Sequence, residues 1–112
     1  MASCFRSDKQ RDLFKALEKC GELIFACGPN GVSANIVGSF RVLRRGHEDR
    51  LEMGDGAQHA DIDWSRITQV EVSECSGEGM LTFSDGNDLL FRLYRPAGLF
   101  PSAVQTFAGS LI

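Results

Sequence analysis

The sequence predicts an α+β fold: one antiparallel β-sheet laid out as a meander, with an N-terminal helix and a C-terminal amphipathic helix, in a single domain over residues 1–112. Alternation predicts the strands. Val70 and Val72 alternate with Gln69, Glu71 and Ser73, and Leu81 and Phe83 with Thr82 and Ser84. Leu89, Phe91 and Leu93 alternate in the same way with Leu90, Arg92 and Tyr94. A period of two sends one set of side chains to a buried face and the other outward. The runs are separated by Ser76-Gly77-Glu78-Gly79 and Ser84-Asp85-Gly86-Asn87, turn sequences that fold them back antiparallel. Helical spacing predicts the ends: Leu13, Phe14, Leu17 and Cys20 near the start, and Val104, Phe107, Ala108 and Leu111 within Pro101 to Ile112.

The N-terminal helix has its start and stop written beside it. Ser7-Asp8-Lys9-Gln10 is a capping box, in which the Ser7 hydroxyl accepts from the Gln10 amide and the Gln10 side chain reaches back. Asp8 complements the positive helix end, and Gly21 stops the helix. Lys9, Arg11, Lys15 and Lys19 form its solvated face. Glu22 to Cys27 is a short apolar run closed by Gly28-Pro29-Asn30-Gly31, where Asn30-Gly31 suits a tight hairpin. That loop lacks the Gly-Lys-Ser/Thr ending of a phosphate cradle.

A long second strand is predicted from Val32 to Arg45, with Val32, Ala34, Ile36, Phe40 and Val42 on one face and Gly38 at its middle. Glycine inside a strand marks a bulge or a close approach. Arg41, Arg44 and Arg45 form the cationic cluster of the chain, either a solvated strand end or a clamp for a carboxylate-bearing ligand. Gly46-His47-Glu48-Asp49-Arg50 reads as a polar turn, Leu51-Glu52-Met53 as a short strand, and Gln58-His59-Ala60-Asp61-Ile62 as the start of another. His47 and His59 are each either solvated or structural, or a ligand to a metal or haem iron. Trp64 seals one end of the sheet, and Pro101 or Ser102 opens the last helix.

The totals exclude several classes of function. At 112 residues the chain holds one core. A net charge of −3 argues against bulk nucleic-acid binding, and no apolar run approaches the roughly 20 residues that span a bilayer. No apolar leader follows Met1, so a cytoplasmic location is expected. Cys4, Cys20, Cys27 and Cys75 are scattered without a Cys-x-x-Cys pair, which reads as reduced thiols rather than a metal or redox site. No nucleophile–base pair or metal-ligand spacing stands out, so an enzyme is the least supported class.

The order of elements and several short motifs resemble one half of the cytoplasmic haem-utilisation proteins of the HemS/ChuX type. Gly21-Glu22-Leu23-Ile24-Phe25 is similar to that family's first strand, and Gly31 to Gly38 to its second. Asp61-Ile62-Asp63-Trp64 is similar to its aromatic turn, Met80 to Gly86 to its hairpin, and Leu90 to Tyr94 to its last strand. The resemblance spans about residues 13 to 111 and implies a single haem-utilisation-like domain, an antiparallel sheet with helices at its ends, haem as cofactor, and a homodimer for a chain of this length. Haem-ligating members carry a histidine in the second strand. Here Val32-Ser33-Ala34-Asn35-Ile36-Val37-Gly38 puts Ala34 at that place, and a methyl group cannot coordinate iron. His59 and His47 then become the candidates for iron, and Arg41 and Arg92 those for the haem carboxylates. The function implied is haem binding and trafficking by a carrier, with the ligand in a cleft beside the sheet. A PH-like or GRAM-like adaptor that binds peptide or lipid without a cofactor is the alternative, because Ile62-Asp63-Trp64 with the later hairpin and closing helix also suits that family. Such a domain needs two nearly orthogonal sheets with the helix plugging one end.

Overall fold

The computed structural model describes residues 5–28, 34–45, 48–54 and 59–112, with side chains over 5–28, 34–38 and 62–112. Helix α1 (Asp8–Glu18) begins as its sequence dictates. Ser7 is the N-cap, and its Oγ accepts from the Gln10 amide at 3.2 Å. The Gln10 side chain reaches back one residue further than a capping box requires. Its Oε1 accepts from the Arg6 amide at 2.6 Å, while its Nε2 donates to the Ile67 carbonyl at 2.7 Å. Gln10 is fully buried, and these bonds offset the cost of burying an amide. Beyond the helix, Gly21 turns the chain with a φ of +76°.

Among the described residues eight strands follow: β1 (Leu23–Cys27), β2 (Ala34–Arg45), β3 (Glu48–Gly54), β4 (His59–Ile62), β5 (Gln69–Cys75), β6 (Glu78–Asp85), β7 (Asp88–Arg95) and β8 (Gly109–Ser110). They form one sheet in the order β4-β3-β2-β1-β7-β6-β5-β8, every described pair antiparallel. The predicted α+β class and the β5–β7 meander are present. The hairpin turns are tighter than the sequence suggested. Ser76 and Gly77 both take positive φ (+53° and +83°) between Cys75 and Glu78, as a two-residue loop matched to strand twist requires.

Gly38 marks a change of partner in β2. Residues up to Gly38 pair with β1, ending at Leu23↔Gly38, and residues from Ser39 pair with β3, beginning at Ser39↔Gly54. The polar turn expected over 46–50 is shorter than predicted. Glu48, Asp49 and Arg50 lie in β3, opposite Arg45, Arg44 and Leu43. The Gly28–Gly31 turn lies, from Pro29 on, outside the described residues.

The core lies between α1 and one face of the sheet. Leu13, Phe14 and Leu17 of the helix meet Leu23 and Phe25 of β1, Leu81 and Phe83 of β6, and Phe91 and Leu93 of β7. An aromatic row runs through it. Phe25 stacks on Phe91 (4.9 Å between ring centres) and Phe91 on Phe83 (4.5 Å), while Trp64 meets Phe83 and Phe14 edge-on at 5.7 and 5.5 Å. Trp64 sits in a 3₁₀ turn (Trp64–Arg66) capped by the Asp63 carboxylate, and is fully buried. Side chains of this size each contribute about 1.5–3 kcal/mol on leaving water.

The C-terminal helix is present but much shorter than the sequence stripe implied. Helix α2 covers Ser102–Gln105 alone, with Pro101 as an N-cap that makes no side-chain cap bond. Gly109 then takes a φ of +112°, and Gly109–Ser110 pairs with Val70 and Gln69 as β8. Leu111 is buried beyond this bend. Its amide donates to the Thr68 carbonyl at 2.9 Å, and its carbonyl accepts from the Ser7 hydroxyl, joining the two ends of the described chain.

Candidate functional site

The face of the sheet turned away from the core carries half-exposed side chains in two cross-strand rows. The first is apolar: Val37, Ile24, Tyr94 and Met80 stand in register across β2, β1, β7 and β6. Three strand spacings make this strip about 14 Å long. The second row, two residues along, runs Asn35, Ala26, Arg92, Thr82 and Glu71. Arg92 thus stands at the border between an apolar strip and a polar row.

The polar row opens into a groove of about 300 Å³ at the β5–β6–β7 end, lined by Gln69, Glu71, Thr82, Ser84, Gly86, Asn87, Leu89 and Arg92. A bulge builds one wall of it. Phe83 pairs with Phe91 but Ser84 pairs with Leu89, which leaves Leu90 as an extra residue in β7. Strict alternation sends Leu89 to the core with Phe91 and Leu93. The bulge instead leaves it 48% exposed at the groove, and Leu90 packs against the core in part.

Arg92 supplies the groove's cation. Its Nε is buried and makes no hydrogen bond among the described residues. A guanidinium donor removed from water is costly unless it is met by an acceptor, so this nitrogen is poised for one. Glu71 occupies the far side of Thr82 in the same row, two strands and about 10 Å of backbone away. The hydroxyls of Thr82 and Ser84 and the amides of Gln69 and Asn87 complete a lining that can both donate and accept.

The other residues predicted from sequence do not gather around Arg92. Arg41 occupies β2 opposite Glu52, and His59 occupies β4 opposite Gly54, which in turn faces Ser39. Asn35 is the β2 position in register with Arg92, so Arg41 lies six residues, about 20 Å, further along that strand. His59 lies four strands, about 19 Å, across the sheet from Arg92. Along the sheet, Arg41 and His59 thus lie in a zone separate from Arg92. His47 lies outside the described residues. Ala34 is exposed at the end of β2, opposite Cys27. Sequence reasoning missed the polar lining of the groove. Alternation alone assigned Glu71, Thr82 and Ser84 to the outward face, but only the register brings them beside Arg92.

Of the described cysteines, all free, Cys20 is buried as a small hydrophobe and Cys27 partly so, whereas Cys75 is exposed. Burial pushes the Cys20 thiol up from its ordinary value, against the pull of the Arg95 guanidinium, and its Sγ lies 3.4 Å from the Ala16 carbonyl. Among the described residues no group of three or more His, Cys, Asp or Glu could hold a metal ion, and no helix is long and apolar enough to cross a membrane.

Two solved structures share this architecture. A protein of Erwinia carotovora superposes with a TM-score of 0.59 at 13% identity, and ChuX with a TM-score of 0.58 at 11% identity. In each case 89% of this chain and 68% of the other are covered. The fold is ChuX-like. No family model matches the sequence, and no curated protein matches it. At such low identity the likeness extends to the fold alone.

Proposed function

We propose that this chain is a haem-binding carrier of the HemS/ChuX kind, acting in haem trafficking rather than catalysis. The observation that carries the reading is the placement of Arg92. Its Nε, without a hydrogen-bond partner among the described residues, borders an apolar strip on a ChuX-like sheet. Haem is an apolar plane with carboxylates on one edge, and that combination suits such a surface. The plane would rest on Val37, Ile24, Tyr94 and Met80, and Arg92 would pair a carboxylate. Ala34 supplies no ligand to iron, so His59 and His47 remain the candidates for iron and Arg41, at the far zone, a candidate for a carboxylate. Bound haem would supply iron chemistry; the chain's own part is to bind and orient the plane. A homodimer would cover the plane's second side. A cytoplasmic setting accords with this role.

The adaptor alternative loses its main support in the fold. A PH-like domain needs its closing helix as a plug, and α2 is a single turn of four residues. Titrating the purified chain with hemin tests the proposal: a saturable Soret shift at low micromolar protein is expected. Its absence, with the chain folded, would sink the carrier reading.

A further inference from the structure

We infer that the outer sheet face recognises its ligand through the ligand's carboxylates and apolar plane and not through a central metal, so that it takes planar tetrapyrrole dicarboxylates with or without iron. This rests on the reading of that face as a haem site. Three observations carry it beyond that reading. Arg92 and Thr82 of the groove stand two residues along β7 and β6 from Tyr94 and Met80 of the apolar strip, which puts the cation along one edge of a plane laid on that strip. The Leu90 bulge turns Leu89 off the core face and into the lining of this groove, and a bulge beside a groove re-aims side chains for a ligand. Among the described residues the histidine is His59, which stands four strands across the sheet from Arg92, about 19 Å, beyond a ligand seated in the groove.

Glu71 gives the inference a sign. It faces the same groove from the side opposite Arg92, so it repels the carboxylates that Arg92 attracts. The ligand's edge is thereby drawn toward β7. Removing the Glu71 charge should tighten binding, and removing the Arg92 charge should weaken it.

The test compares hemin, metal-free protoporphyrin IX and the dimethyl ester of protoporphyrin by fluorescence quenching of the intact chain. The free acids are expected to bind within a few-fold of each other. The ester is expected to bind about ten- to a hundredfold more weakly, the loss of one charge-assisted hydrogen bond. Arg92→Gln should impose a similar loss on the acids and leave the ester unchanged, whereas Glu71→Gln should tighten the acids. The ester comparison needs no variant, so a misfolded Arg92→Gln leaves the result intact. Hemin bound tightly with protoporphyrin IX unbound would overturn the inference, pointing to Tyr94 or Met80 as iron ligands, while sparing the carrier reading. Ester bound as well as acid would overturn the groove's part. Binding of none of the three would remove both proposals.

Discussion

Gly79 shows how narrowly single residues are specified here. It lies on the core side of β6, where an added Cβ would come within 2.7 Å of both the ring and the amide nitrogen of Phe100. Phe100 cannot retreat freely, because it is buried and its chain is anchored by the Gly79 amide donating to the Gly98 carbonyl at 2.9 Å. Gly79→Ala is therefore expected to cost about 1–3 kcal/mol, as overpacking does. It should appear as a lower urea midpoint with an unchanged slope; an unaltered midpoint would mean the Phe100 segment yields. From sequence, Gly79 looked only like part of a turn, since nothing local reveals that a distant loop returns to cover it. Ser7 and Gln10 were legible, because a capping box is a local pattern. The second duty of Gln10, a bond to Ile67 fifty-seven positions away, was not.

The elements divide by the same rule. Strands β5, β6 and β7 could be read directly, since each alternates and each is closed by a glycine turn. The Leu90 bulge could not, because Leu89, Leu90 and Phe91 are all apolar and either phase of alternation satisfies the sequence. Arg92 was legible as an outward residue, while the groove beside it depends on that bulge and on register. The C-terminal stripe misled for a related reason. Val104 and Leu111 are both buried, as a helical stripe requires, but the helix ends at Gln105 and Leu111 arrives after the bend at Gly109 and a short extended pairing. Leu111→Ala is expected to cost about 2–5 kcal/mol, the range for a truncated core leucine. Ile112→Ala, at an exposed neighbour, should change stability by less than about 0.5 kcal/mol. Urea denaturation of the two variants side by side separates a buried anchor from a frayed end, and equal small effects would contradict the clasp formed by Thr68, Ser7 and Leu111.

At the scale of the molecule, the sheet is covered unevenly. Helix α1 and the segment around α2 contribute Leu13, Phe14, Leu17 and Val104 to the core on one face, whereas the other face keeps Val37 47% exposed among the half-exposed Ile24, Tyr94 and Met80. A planar ligand laid on a single sheet face keeps its second side in water, which forfeits about half of the apolar area that binding could bury. A second copy seated over the ligand recovers that area, so ligand binding and association should be linked. The 12.3 kDa chain is accordingly expected to sediment at twice that mass with hemin, and to shift toward monomer when hemin is withheld. Val37→Asp places a charge in the strip away from Arg92 and should weaken both hemin affinity and association together. Sedimentation equilibrium across a hemin titration decides the matter. A monomer that binds one hemin tightly at every concentration would show that one sheet face suffices, and would separate haem binding from the dimer.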